Sequence, residues 1–166
     1  MIADLSAPGC TNAKEKLGYF ENIGTQLRKY DIGLFVNNAS GGLVGLFNKL
    51  TPEKIKLTID SNTIPYALLL KEVLPKMEKR RRSGVINVSS IASHWASPAS
   101  GVYSGTKAFN RILSKSLAAE FSNIDMMALK PLGVESNIFR FKAGKRGTIT
   151  PRMCANGALR KLGHDI

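Results

Sequence analysis

Apolar residues along this chain fall into two kinds of run that alternate. Short runs rich in β-branched and aromatic residues, Ile32-Gly33-Leu34-Phe35-Val36, Val85-Ile86-Asn87-Val88 and Ile124 to Leu129, are closed by polar or turn residues and suit strands buried on both faces. Met1 to Leu5 reads as the end of another strand, entering a turn closed by Ser6, Pro8 and Gly9. Between these runs the apolar spacing turns helical. Thr11 to Lys29 predicts an amphipathic helix with Leu17, Phe20, Ile23, Gly24 and Leu27 inward. Thr51-Pro52-Glu53 is a strong helix start, and the helix is predicted to run to Met77 through Ile55, Ile59, Tyr66, Leu69, Leu70, Val73 and Leu74. Pro65 cannot donate to the carbonyl of Ser61, so a kink is expected there. A third helix begins near Val102 with Phe109, Ile112, Leu113, Leu117 and Phe121 as its apolar stripe, and Thr150-Pro151 opens a last one reaching about Lys161. Strands alternating with helices of this length predict an α/β chain with a doubly wound parallel sheet.

Composition narrows this little. The 166 residues are 43% hydrophobic and 22% charged, which suits a single globular unit over 1–166. Cys10 and Cys154 are too few for a disulfide framework, and His94 and His164 have no metal-ligand spacing around them. The longest apolar run, Ile64 to Leu70, stops at Lys71, well short of the ~18 residues of a membrane span. The net charge of +12 invites a nucleic-acid or anionic-membrane reading. Its densest cluster, Lys76, Lys79, Arg80, Arg81 and Arg82, lies at a predicted helix end just before Gly84, where cations complement the helix dipole. No aromatic residues are interleaved there, so no nucleic-acid partner is expected.

The chemistry concentrates between Val85 and Lys107. Two serines, Ser89 and Ser90, follow the strand at its carboxyl end, where open α/β sheets place ligands. Tyr103 and Lys107 are four apart on the helix that follows, so they share a face. They are expected to stand beside the apolar stripe, clear of the packing. A free tyrosine, with a pKa near ~10, transfers protons poorly at neutral pH, and a neighbouring ammonium is expected to lower that value. Tyr103 then exchanges a proton with a substrate oxygen, which Ser90 holds by a hydrogen bond. The glycines Gly41, Gly42 and Gly45 lack the spacing of a phosphate loop.

This segment resembles the active-site stretch of the short-chain dehydrogenase/reductase family, which pairs Y-x-x-x-K with a serine thirteen positions before the tyrosine; here that serine is Ser90. N-V-S-S, Y-S-G-T-K-A-F and L-P-K-M most resemble the branch of 17β-hydroxysteroid dehydrogenases and very-long-chain 3-oxoacyl-CoA reductases. The resemblance runs from about Asp4 to the end. It implies a Rossmann-like sheet, catalysis by Asn62, Ser90, Tyr103 and Lys107, and a cofactor, NADP with NAD as the alternative, held by Asp4, Asn37, Tyr103, Lys107, Val134 and Ser136. Asn37 belongs to Asn37-Asn38-Ala39-Ser40, similar to the family's N-N-A-G. In the family the asparagine matching Asn62 anchors a relay water. Pro131-Leu132-Gly133-Val134-Glu135-Ser136 is similar to its nicotinamide-carboxamide loop, with the glycine displaced. The basic, glycine-broken segment from Ile138 to Gly147 suits a mobile lid.

The family's glycine-rich T-G-x-x-x-G-x-G turn, where a pyrophosphate meets a helix amino terminus, has no counterpart in this sequence. At ~30 residues per βαβ unit, about two units are expected to be missing, the first two strands among them. The resemblance therefore implies an incomplete domain of an NADP-dependent ketone reductase acting on a 3-oxoacyl-CoA or a steroid. The alternative is an inactive remnant serving as a binding or scaffolding module. It further implies a small lipid-like substrate and leaves a homodimer open. An anchor in the missing amino-terminal segment would hold it on the cytosolic face of the endoplasmic reticulum; without one it is expected in the cytoplasm.

Overall fold

A computed structural model describes residues 12–41, 44–95, 97–136 and 142–164. The Met1–Leu5 strand, Asp4, Cys10, Gly42 and the start of the expected lid lie outside these residues. In chain order the elements are α1 (Ala13–Leu27), β1 (Leu34–Asn37), α2 (Pro52–Asn62), α3 (Ile64–Met77), β2 (Ser83–Val88), α4 (Gly101–Glu120), β3 (Ile124–Leu129), β4 (Gly133–Val134), β5 (Thr148–Ile149) and α5 (Pro151–Lys161). Short 3-10 turns occupy Phe47–Lys49 and Ile91–Ser93.

The strands β1, β2 and β3 form one parallel sheet in that order, with Phe35 opposite Val85 and Val85 opposite Met126. Each connection is a helix laid back over the sheet, as parallel pairing requires. Alternate side chains point to one face, where Phe35, Val85, Ile124 and Met126 pack against Leu70, Val73, Leu74 and Met77 of α3 and Leu113 and Leu117 of α4. Helix α1 covers α3 from outside through Phe20 and Ile23, which meet Leu69. On the opposite face Leu162, just past α5, lies over Gly84, where an added Cβ would have to push the Leu162 side chain aside. Leu34 and Val36, on that same face of the outer strand β1, are exposed.

Several expectations change. The long helix is two helices meeting at Thr63, whose backbone (φ −115°, ψ −57°) leaves the helical path. Pro65 removes the amide that would have continued α2, so the expected kink becomes a break. Leu17, Ile59, Phe109 and Ile112 are exposed rather than inward. In α4 the fully buried residues are instead polar: Ser104, Thr106, Lys107, Asn110 and Ser114. Ser114 meets a polar strip of the sheet, in which Asn37 Nδ2 donates to Asn87 Oδ1 (3.0 Å) and Asn87 Nδ2 to Ser114 Oγ (2.9 Å). The pairing of β4 with β5 was not foreseen, since two-residue strands carry no periodic signal.

Three residues of the basic cluster are used within the fold. Arg80 pairs with Asp31, Arg82 with Asp125 at 2.7 Å, and Lys76 Nζ donates to the carbonyls of Arg28 and Tyr30, both at 2.9 Å. Among the described residues no helix is long and apolar enough to cross a membrane.

The entry to α4 is a tight turn, Ser97 to Ser100, in which the Ser100 amide donates to the Ser97 carbonyl at 3.2 Å. Pro98 and Ala99 are its central residues, and Ala99 has φ +63°, where a Cβ is strained. The Ala99 carbonyl accepts from the amide of Gly45 at 2.7 Å, tying the loop after β1 to this turn.

Candidate active site

Strand β2 ends where its neighbours end, so Asn37, Val88 and Leu129 bring three carboxyl termini to one edge of the sheet. Beyond that edge the two serines diverge in role. Ser89 turns its hydroxyl into the fold and donates to the Lys107 carbonyl at 2.7 Å. Ser90 caps the 3-10 turn, accepting from the Ala92 amide at 3.2 Å, and its hydroxyl stands near enough to the Tyr103 phenol to favour the ionised form.

Helix α4 brings Tyr103 and Lys107 to this edge together. Tyr103 is half-buried, while Lys107 is 1% exposed, so the packing does enclose the lysine, contrary to the sequence expectation. The Lys107 ammonium donates to the Val88 carbonyl at 3.0 Å and lies 5.7 Å from the ring centroids of both Tyr103 and Tyr66. Burial drives its proton off more readily, taking the pKa from 10.5 down to about 8. Tyr103 moves the other way from that expected: burial raises its pKa, and the Ser90 hydroxyl beside it pulls it partly back.

Asn62, at the end of α2, is fully buried. Its Nδ2 donates to the Gly41 carbonyl (2.7 Å) and to Thr106 Oγ1 (3.1 Å), and its Oδ1 accepts from the Gly41 amide (2.9 Å). Thr106 in turn donates to the Tyr103 carbonyl at 2.7 Å, so Asn62 braces the helical turn that carries the tyrosine. Asn37 is buried too, its amide donating to Asn87 and to the Tyr66 carbonyl (3.4 Å). Val134 stands opposite Ile149 in the β4–β5 pair, apart from this network, and Ser136 follows it in an exposed position.

Two residues of this cluster escaped the sequence reading. Tyr66 looked like one more member of an apolar stripe, although a phenol among leucines has a hydroxyl that needs a partner. Thr106 sat unremarked between Tyr103 and Lys107.

A family model described as short chain dehydrogenase matches residues 10–146. A very-long-chain 3-oxoacyl-CoA reductase of Mycosarcoma maydis is 27% identical over 150 residues, covering 88% of this chain and 43% of the relative. A 17-beta-hydroxysteroid dehydrogenase type 3 of Rattus norvegicus is 30% identical over 140 residues, covering 79% of this chain and 44% of the relative. The chain thus spans less than half the length of either. Among solved structures, a short-chain dehydrogenase from Sphingobium yanoikuyae in complex with NADPH superposes with a TM-score of 0.80 at 24% identity, over 96% of this chain and 61% of that one. That likeness identifies the parallel-sheet fold.

Proposed function

Because this chain belongs to the short chain dehydrogenase family, we propose that it forms the catalytic part of an NADP-dependent reductase acting on a ketone of a lipid-like substrate, a 3-oxoacyl-CoA or a steroid. The observation that carries this reading is the meeting of three groups at the carboxyl edge of the sheet. The Ser90 hydroxyl stands beside the Tyr103 phenol, and the ammonium of Lys107 stands 5.7 Å from the Tyr103 ring. The substrate class follows the two relatives named above, a 3-oxoacyl-CoA reductase and a hydroxysteroid dehydrogenase.

In this reading Tyr103 is the proton donor. A phenol whose pKa is raised by burial keeps its proton at neutral pH, as an acid serving a reduction must. The hydroxyl of Ser90 holds the substrate oxygen through a hydrogen bond that strengthens as negative charge develops there. Lys107, still mostly an ammonium at pH 7, offsets the tyrosinate formed when the proton leaves. Asn62 positions the turn bearing Tyr103 and, by resemblance, a relay water.

The side chains at this edge suit the nicotinamide-ribose end of a dinucleotide, since a phenol and an ammonium are donors for its hydroxyl groups. Val134 and Ser136 would hold the carboxamide, Tyr103 and Lys107 the ribose, and Asp4 the adenine. Asn37 would line the cleft with its backbone, since its side-chain amide is already engaged. A bound nicotinamide supplies the hydride. The sequence offers no glycine-rich turn for the pyrophosphate, so residues 1–166 alone should bind NADPH weakly.

The test uses the chain extended at its amino terminus by a glycine-rich strand–helix unit. Consumption of NADPH with a 3-oxoacyl-CoA, or with a steroid ketone, is compared with that of Tyr103→Phe. Loss of roughly 10²–10⁴-fold is expected with nucleotide binding retained; turnover that survives in the phenylalanine variant removes Tyr103 from its role.

A further inference from the structure

Lys107 carries its charge into a place where, among the described residues, no carboxylate pairs with it. The groups facing it are the Val88 carbonyl from β2, Tyr103 from its own helix and Tyr66 from α3. Both phenols are neutral at physiological pH, Tyr66 the more so because burial raises its pKa far above 10. The ammonium therefore sits between two aromatic rings, 5.7 Å from each centroid, inside the ~6 Å reach of cation–π attraction.

Tyr66 is also fixed in place. It is 1% exposed, its hydroxyl donates to the Val88 carbonyl at 3.1 Å, and that same carbonyl accepts from Lys107 at 3.0 Å. A leucine would fill this part of the α3 stripe, beside Leu69 and Leu70, without bringing a hydroxyl that has to be satisfied. Tyrosine adds two things that leucine lacks: a ring with a negative face, and an anchor on the carbonyl that holds the cation.

We propose that Tyr66 is a positioning residue for Lys107: anchored through its hydroxyl on Val88, it sets its ring against the ammonium and keeps the charge in place beside Tyr103. The inference rests on the reading of Lys107 as part of the reacting group. Its test nonetheless reads the ammonium directly and needs no turnover.

Lysine isotopically labelled at its ε-carbon is incorporated into the 166-residue chain. The Lys107 resonance is identified by its loss in Lys107→Arg and is titrated with pH. Tyr66→Phe keeps an aromatic face of the same size but gives up the anchor on Val88, and lowers the midpoint by only about a few tenths of a pH unit. Replacing Tyr66 by trifluorophenylalanine keeps the shape, withdraws electron density from the ring and lowers the midpoint by about one pH unit. Tyr66→Leu lowers it at least as far if the variant folds; the fluorinated chain decides the matter if it does not. Equal midpoints for the phenylalanine and fluorinated variants would overturn the proposal, since ring charge would then be irrelevant. A folded Tyr66→Leu chain with that midpoint unmoved would also overturn it, by making Tyr66 a packing residue. If instead the midpoints move as expected while Tyr103→Phe stays active, it is the catalytic reading that fails.

Discussion

Asn62 and Gly41 are joined by two hydrogen bonds running in opposite directions, with the side-chain amide of one matched to the backbone amide and carbonyl of the other. A side chain that mimics a backbone partner in this way fixes the loop after β1 onto the end of α2. Asn62→Asp keeps the acceptor but loses the donor to Gly41 and Thr106, and buries a charge. We expect a loss of about 2–4 kcal/mol in urea unfolding at pH 7. The introduced carboxyl has a raised pKa in the folded state, so its penalty should shrink as pH falls through that value and the acid regains a donor. A penalty that stays constant from pH 7 to about 4 would show that the donated bonds matter little.

Lys107 should be a burden to the fold it serves. Its pKa falls from 10.5 to about 8 on burial, so the folded state holds its proton less tightly than the unfolded state does. The cost is fully present below pH 8 and is relieved as pH rises from 8 to 10.5, where the unfolded chain is still protonated. Lys107→Met removes the charge and leaves the Val88 carbonyl bonded to Tyr66. It should raise stability at pH 7 by roughly 2–3 kcal/mol, with the advantage fading towards pH 10. Chemical denaturation of both chains across that range gives the comparison; a methionine variant that is less stable at every pH would contradict it.

The two serines should separate stability from turnover. Ser89→Ala breaks a buried bond to the Lys107 carbonyl and is expected to cost about 1 kcal/mol in thermal unfolding. Its effect on turnover in the extended chain should be small. Ser90→Ala removes the hydroxyl that meets Tyr103 and should lower turnover by roughly 10–100-fold, with a smaller effect on stability. Equal kinetic losses would mean that the wrong hydroxyl has been chosen.

Asn110 is buried in α4, and neither atom of its amide finds a partner among the described residues. Leucine has a similar shape and no polar group to leave unsatisfied. Asn110→Leu should therefore raise the melting temperature, by the equivalent of about 1–2 kcal/mol. A drop instead would reveal an ordered water on that amide.

What the sequence made legible follows from how local each signal is. The three apolar runs became β1, β2 and β3 because strand burial is written in consecutive residues. The proximity of Tyr103 and Lys107 was legible because one helical turn separates them. The polar interior of α4 was not, since Ser114 finds its partner in Asn87, which lies on another element. Phe109 and Ile112 misled for the same reason, as periodicity identifies a face without saying which way it points. The environment of Lys107 was hidden too. Four residues of spacing place it near Tyr103, but its depth depends on Tyr66, which arrives from α3.

The strained turn before α4 bears on how the molecule opens. Ala99 occupies a backbone region that costs a residue with a Cβ about 1 kcal/mol, and that cost is refunded whenever Ser97–Ser100 lets go. Opening there also frees the Gly45 amide from Ala99, so the loop after β1 and the first turn of α4 loosen in one event. In hydrogen exchange, the amides of Gly45 and Ser100 should lose their protection together and well ahead of those in the middle of α4. Tyr103 stands within that first turn, so the weakest point of the helix lies beside the residue on which the chemistry depends.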